Sequence, residues 1–157
     1  MQIKFGNKFI RWGAKIVTRL LARVEVYGWD NLPKSGSYIA TANHLGRIEI
    51  LLVYYLLDRD DVILMIAEKY RESAFWRWLA YQVDGIFIDR YNADIAALRL
   101  VLKRLQEGGV LAIAPEGTRS YNGKLLRGQP GIALVALRSG APILPIVHWG
   151  GENFTKN

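Results

Sequence analysis

Short apolar segments alternate with longer stretches of helical periodicity along most of this chain. The apolar segments predict strands at 24–27, 38–42, 62–67, 85–89, 110–114 and 142–147. The intervening stretches predict helices at 47–57, 73–82, 92–106 and 132–138. Parallel strands need helix-length connections, so this alternation favours a sheet of parallel strands covered by helices. We therefore predict an α/β fold with one domain and a mostly parallel β-sheet flanked by helices.

The length and composition agree with one globular domain. The chain has 157 residues, and 51% of them are hydrophobic, which is enough for a sizeable core. It has no cysteine, which excludes disulfides, a thiolate zinc site and a cysteine nucleophile. No apolar run reaches the roughly 20 residues that a membrane-spanning helix needs.

The first 24 residues carry most of the net charge of +7. Their lysines and arginines recur with helical spacing and precede the first acid, Glu25, so they form one stripe on a helix. Apolar side chains form a row beside that stripe. The pattern predicts a basic amphipathic helix at 1–24 that precedes the α/β domain and contacts an anionic membrane surface. The residues expected at that surface are Lys4, Lys8, Arg11, Trp12, Lys15 and Arg19.

A helix that packs its apolar face on the domain and solvates its charges would show the same pattern. Both interpretations of residues 1–24 stay open at this stage. Nucleic acid is not expected as a partner, because the excess of basic residues is confined to one helix and no nucleic-acid-binding motif accompanies it.

A histidine and a carboxylate follow the predicted strand 38–42. His44 and Glu49 suit a general base and its orienting partner, since the imidazole can accept a proton at one ring nitrogen while the carboxylate binds the N–H of the other. Alone this pair is a weak signal, because a histidine near a helix start is more often structural. His148 follows the last predicted strand without an evident partner and is expected to be structural.

A second polar loop follows the predicted strand 110–114. Residues 115–120 combine an arginine, a glycine and two hydroxyl side chains, which are good donors to a phosphate. The loop lacks the Walker P-loop pattern. A polar turn is the alternative interpretation. Arg90, after the predicted strand 85–89, either forms a surface ion pair or points into the same cleft.

Together these loops resemble the motifs of the glycerolipid acyltransferase family, which includes the lysophosphatidic acid acyltransferases. Residues 44–49 resemble its His-x4-Asp motif. The second, third and fourth motifs are matched by residues 85–90, 115–120 and 141–146. The motifs occur in the family's order, and the resemblance covers about residues 24–149.

The resemblance implies a role for each motif. His44 would be the general base on the acceptor hydroxyl, and Glu49 would orient it. Pro142 and Pro145 would shape the acyl-donor site. The donor would be acyl-coenzyme A or acyl carrier protein, with no metal or cofactor. The acceptor's phosphate would be held by Arg90, Glu116, Gly117, Thr118, Arg119 and Ser120.

The resemblance also implies a 1-acylglycerol-3-phosphate acyltransferase-like activity in phospholipid synthesis. The protein would bind peripherally at the cytoplasmic face of a membrane, expected to be the bacterial inner membrane. Residues 25–157 would form the acyltransferase domain. The chain ends soon after the fourth motif, where family members usually continue. We therefore expect either a short form or a domain that lacks a C-terminal portion.

Two residues also depart from the family pattern. Glu49 stands where the family usually has aspartate, and Ala114 stands where an aromatic residue is common. Glu49 and the short C-terminal end support one alternative, a non-catalytic membrane-binding protein that retains the fold, and it predicts lipid binding that is indifferent to His44. The other alternative is an acyltransferase for glycerol 3-phosphate, another lysolipid or an ornithine lipid. The oligomeric state has no signature in the sequence.

Overall fold

The computed structural model describes residues 5–46 and 49–151, with side chains from residue 8 onward. The helices are α1 (Phe5–Leu21), α2 (Glu49–Leu56), α3 (Ala74–Gln82), α4 (Ile95–Gln106) and α5 (Gly131–Ser139). The strands are β1 (Tyr38–Ala42), β2 (Val62–Ala67), β3 (Ile86–Ile88), β4 (Val110–Ile113) and β5 (Ile143–Ile146). Strands and helices alternate from β1 to β5, as predicted.

Within the described residues, the five strands form one sheet in the order β3-β2-β4-β1-β5. Every neighbouring pair is parallel. Strand β1 lies between β4 and β5, with Ile39 opposite Leu111 on one side and Ile143 on the other. The predicted α/β fold is therefore confirmed. Because the strands are parallel, the loops that follow β1, β4 and β5 meet at one edge of the sheet.

Helices cover both faces of the sheet. On one face, residues such as Ala40 and Leu64 pack with Tyr54 and Leu57 of the α2 region. On the opposite face, Ile39, Ile63 and Leu111 pack with residues of α4 and α5. Successive strand residues point to opposite faces, so a strand buried on both sides is apolar throughout. This explains the continuous apolar run in β2.

Two local predictions are wrong. Residues 24–27 do not form a strand: they pair with no other strand, and most of their side chains are exposed. A short alternating run has no preference for extended structure unless a neighbouring strand can accept its hydrogen bonds. Asn92 does not cap α4, because Asp94 takes that position and accepts a hydrogen bond from the Ala97 N–H at 2.9 Å.

Two basic side chains of helix α1 form ion pairs within the protein. Arg11 forms an ion pair with Asp60 at 2.7 Å, and Lys15 forms one with Asp58 at 2.7 Å. These side chains were predicted to face a membrane, but in the structure they hold α1 to the loop between α2 and β2. Lys8 and Arg19 remain exposed, whereas Lys4 lies outside the described residues.

The helices of the described chain are all too short or too polar to cross a bilayer.

Candidate active site

His44 and Glu49 meet at the carboxyl end of the sheet. His44 lies just beyond β1, and its Nδ1 forms a hydrogen bond with Oε2 of Glu49. Glu49 is the first residue of α2, and its other oxygen accepts the N–H groups of Leu45, at 2.5 Å, and Gly46. The extra methylene of glutamate, relative to the family's aspartate, therefore does not prevent contact with the imidazole. An ionised carboxylate only accepts hydrogen bonds, so the ring proton is assigned to Nδ1 and Nε2 is left with a free lone pair.

The surroundings of Glu49 keep it ionised. Burial raises the pKa of the Glu49 carboxyl, but the hydrogen bonds from the imidazole and two backbone amides lower it by more, so the pKa lies below the ordinary value of 4.5. The carboxylate therefore carries its charge near neutral pH. A charged acceptor at Nδ1 favours the tautomer in which Nε2 can take up a proton.

Loop 115–130, which follows β4, holds the backbone of His44 from the other side. Oε1 of Glu116 accepts the His44 N–H at 3.0 Å, and the Ser120 N–H donates to the His44 carbonyl at 2.8 Å. The second Glu116 oxygen accepts the Leu126 N–H at 3.0 Å. Strands β1 and β4 are neighbours, which brings these loops together. The segment that carries His44 is thus fixed by the loop that was predicted to bind phosphate.

Several residues of that loop are placed differently from the prediction. Glu116 is only 4% exposed, and both of its oxygens bind backbone amides, so its carboxylate supports the loop and does not face a phosphate. Ser120 is equally buried, and its hydroxyl donates to Asn122. Thr118 is exposed. Arg119 is half-buried beside the Tyr121 ring, 5.6 Å from its centroid.

Arg90 and Gly117 adjoin each other beside the His44–Glu49 pair. Arg90 Nη1 donates to the Gly117 carbonyl at 3.1 Å, which joins the loops after β3 and β4. Gly117 has a φ of 69°, a left-handed conformation that glycine adopts without strain. Of the predicted phosphate residues, the structure brings these two to the cavity at the carboxyl ends of the strands.

A cavity of about 740 Å³ opens at the carboxyl ends of the strands. His44, Glu49, Arg90 and Gly117 line its polar part. Its remaining wall is mostly apolar and comes from both helix layers, including Leu52 and Leu56 of α2, Leu98 of α4 and Ile132 of α5. Such a site can hold a long apolar group with its polar end beside the imidazole.

Pro142 and Pro145 do not line this cavity. Both are exposed on or beside β5, the edge strand that pairs with β1. An edge position accommodates proline because its missing N–H is not needed by a further strand. Their neighbour Ile146 does line the cavity.

Two further residues, Asn43 and His148, lie at the site but were not predicted as part of it. The Asn43 amide donates to the His148 carbonyl at 2.8 Å, and the His148 N–H donates to the Asn43 side chain at 3.0 Å. The His148 ring lines the cavity, with Nε2 3.5 Å from Oε1 of Glu49. The available signal was the position of His148 at the end of a strand, where parallel sheets gather functional residues.

Metal ligands are not gathered anywhere in residues 5–46 and 49–151: no three His, Asp or Glu side chains are arranged to hold an ion.

The family model described as Acyltransferase matches residues 23–149. Among curated relatives, the 1-acyl-sn-glycerol-3-phosphate acyltransferase of Borreliella burgdorferi is 30% identical over 134 residues, covering 84% of this chain and 53% of the relative. The enzyme of the same description from Bacillus subtilis is 22% identical over 143 residues, covering 91% of this chain and 71% of the relative.

A solved structure is similar as well. The crystal structure of the 1-acyl-sn-glycerophosphate (LPA) acyltransferase PlsC from Thermotoga maritima superposes with a TM-score of 0.73 at 26% sequence identity. The match covers 93% of this chain and 60% of that one. The chain spans about half the length of most of the curated relatives it matches, as with the Borreliella burgdorferi enzyme, of which it covers 53%.

Proposed function

This chain belongs to the acyltransferase family, and from that premise we propose that it transfers a fatty acyl group from a thioester to the hydroxyl of lysophosphatidic acid. The observation that carries the proposal is the His44 imidazole, oriented by the Glu49 carboxylate at the polar end of an apolar cavity. Relatives described as 1-acyl-sn-glycerol-3-phosphate acyltransferases support the choice of acceptor.

In the proposed reaction, Nε2 of His44 removes the proton of the acceptor hydroxyl while its oxygen attacks the thioester carbonyl carbon. The tetrahedral intermediate collapses, an ester bond forms and the carbon–sulfur bond breaks. The departing thiolate takes the proton back from the imidazolium. Glu49 stabilises the imidazolium without becoming protonated itself. The chain has neither a cysteine nor a Gly-x-Ser-x-Gly nucleophile elbow, which supports direct passage of the acyl group from donor to acceptor.

The cavity suggests where each part of the substrates lies. The apolar wall between the sheet and the helices suits an acyl chain, because removing that chain from water is favourable by about 0.8 kcal/mol per methylene. Arg90 is the only lysine or arginine that lines the cavity in the described chain, and we assign the acceptor phosphate to it. Arg119 is a second candidate for this phosphate. The donor would be acyl-coenzyme A or acyl carrier protein.

We propose that α1, within residues 1–24, places the catalytic domain at residues 25–157 on the membrane. The outer face of α1 exposes Phe9, Trp12 (65% exposed) and Leu20 (79% exposed), with the cations Lys8 and Arg19 also in solvent. Exposed aromatic and aliphatic side chains beside cations are typical of a helix at a bilayer interface. Helix α3 packs against α1 and exposes further aromatic side chains, Phe75, Trp78 and Tyr81. The surface would be the cytoplasmic face of the bacterial inner membrane.

The experiment that tests this function measures acyl transfer on anionic vesicles. The donor is labelled acyl-coenzyme A or acyl carrier protein loaded with a labelled acyl chain. Each donor is incubated separately with lysophosphatidic acid, glycerol 3-phosphate, an ornithine lipid and monoacylglycerol. We expect transfer to lysophosphatidic acid and much less to monoacylglycerol, which lacks the phosphate. Preference for another phosphate-bearing acceptor would keep the reaction and change the substrate. Lipid binding without transfer to any acceptor would favour the non-catalytic alternative.

A further inference from the structure

We propose that His148 is a positioning residue for the His44–Glu49 pair, which it holds through the backbone of Asn43 and the carboxylate of Glu49. The inference rests on the proposed function, since it concerns the base of the same site. His148 lies just beyond β5, and Asn43 lies just beyond β1, so parallel pairing of these strands brings the two residues together.

Asn43 and His148 are joined by three hydrogen bonds. Two are between the Asn43 side chain and the His148 backbone. In the third, the His148 Nε2 lies 2.7 Å from the Asn43 carbonyl. A carbonyl oxygen can only accept a hydrogen bond, so the ring proton of His148 is assigned to Nε2. The Asn43 carbonyl belongs to the peptide that leads directly into His44, so the bond fixes the backbone from which the catalytic imidazole projects.

The same ring nitrogen also lies near Glu49. His148 Nε2 is 3.5 Å from Oε1 of Glu49, while the opposite oxygen, Oε2, binds the ring of His44. The carboxylate therefore lies between two imidazoles. A ring nitrogen this close to Oε1 limits the positions that the carboxylate can take. The contact therefore helps to keep Oε2 directed at His44 Nδ1.

The second nitrogen of His148 supports this orientation. Nδ1 of His148 is buried and has no hydrogen-bond partner among the described residues. A proton on Nδ1 would be a buried donor without an acceptor, which costs about 1–3 kcal/mol. The tautomer with its proton on Nε2 is thereby favoured, and this tautomer directs its N–H to the Asn43 carbonyl.

The test compares three variants of the chain. His148→Leu removes the ring N–H but keeps the backbone bonds to Asn43. His148→Gln carries an amide nitrogen at a similar distance from the backbone as Nε2 and can donate to the Asn43 carbonyl. Val147→Ala, at an exposed neighbouring position outside the cavity, is the control. Each is assayed for acyl transfer to lysophosphatidic acid and for its thermal unfolding midpoint.

We expect His148→Leu to lower kcat by about 10–100-fold, since a displacement of about 1 Å at a reacting group has effects of that size. KM for both substrates should stay within about twofold, because the residue is not assigned to either substrate. His148→Gln should recover most of the lost kcat, and Val147→Ala should match the wild type. Equal kcat for His148→Leu and the wild type would overturn the inference. An equal loss in the Gln and Leu variants would also overturn it, because packing alone would then explain the effect.

A second measurement does not depend on activity. The chain has two histidines, so the imidazole proton signal of a His148 variant comes from His44 alone. We expect the downfield Nδ1–H resonance of His44, bound to Glu49, to broaden or disappear in His148→Leu and to persist in His148→Gln. An unchanged resonance in the leucine variant would contradict the inference. Absence of acyl transfer by the wild type would count against the proposed function, and the resonance would then decide the inference.

Discussion

Replacement of Glu49 by glutamine tests how the base is oriented. The carboxylate receives donors on both oxygens: the His44 ring on one, and the backbone N–H groups of Leu45 and Gly46 on the other. Glutamine has one accepting oxygen and one NH2 group. If the oxygen keeps the two backbone bonds, the NH2 group faces the imidazole. The ring must then accept at Nδ1 and carry its proton on Nε2, where it cannot act as a base.

The size of the effect follows from this change of tautomer. A positioned general base contributes about 10²–10⁴-fold to a rate, and an exchange of this kind in a serine-protease triad lowers kcat by about 10⁴. We therefore expect Glu49→Gln to lower kcat by about 10³-fold. That loss corresponds to about 4 kcal/mol of transition-state stabilisation. KM should change little, because the interaction matters in the transition state.

The assay is acyl transfer to lysophosphatidic acid at saturating substrate, with urea unfolding of the same preparations to verify folding. Glu72→Gln is a matched control, because Glu72 is exposed and does not line the cavity. We expect this control to retain the wild-type rate. A folded Glu49→Gln variant that retains more than about a tenth of the wild-type kcat would refute the assigned tautomer and the role of the carboxylate.

Three further predictions concern phosphate binding, loop support and pH. Arg90→Ala should raise KM for lysophosphatidic acid about tenfold, because the phosphate loses a charged hydrogen bond. Arg99→Ala, on the exposed side of α4, is the control and should leave KM unchanged. Steady-state kinetics over a range of lysophosphatidic acid concentrations measure both values. Glu116→Leu leaves the backbone N–H groups of His44 and Leu126 unpaired. The free energy of unfolding, measured by urea titration, should therefore fall by about 3 kcal/mol. Unchanged stability would contradict these two hydrogen bonds. The pKa of Glu49 is lower in the folded state than in the unfolded state. Its ionised carboxylate therefore stabilises the fold at pH values above the unfolded-state pKa, and this stabilisation is lost as the pH falls through the folded-state pKa. Unfolding titrations between about pH 7 and pH 3 should therefore show the stability of the wild type approaching that of Glu49→Gln as the pH falls.

Membrane association has its own prediction. Trp12→Ser should reduce binding to anionic vesicles in a sedimentation assay, because this exposed ring is part of the proposed membrane surface of α1. Tyr91→Ser removes an aromatic side chain that is even more exposed but lies outside α1 and α3, and it should bind vesicles like the wild type. Equal loss in both variants would show that exposed aromatic area, and not α1, determines the binding.

The strands from β1 to β5 were predictable because each is an apolar segment bounded by turn residues or helical stretches. Residues 38–42 and 62–67 were predicted with the observed bounds. Residues 24–27 show the same local pattern but have no neighbouring strand. Pairing partners depend on the sheet order, which local periodicity does not contain.

The contact between His44 and Glu49 was predictable because one motif supplies both partners. The family resemblance implied a phosphate-binding role for Glu116. In the structure the two oxygens of the Glu116 carboxylate accept hydrogen bonds from the backbone N–H groups of His44 and Leu126. His148 was missed because its partner, Asn43, is far away in sequence and is reached only through the pairing of β5 with β1.

The most direct test of the account is the acyl-transfer rate of His44→Ala, measured with saturating acyl-coenzyme A or acyl carrier protein and lysophosphatidic acid on anionic vesicles. If Nε2 of His44 is the base, the variant should fold like the wild type and lose about 10²–10⁴-fold in kcat. Arg99→Ala, assayed in parallel, should keep the wild-type rate. A folded His44→Ala variant that transfers acyl groups as fast as the wild type would contradict the central claim, and another group would have to remove the proton.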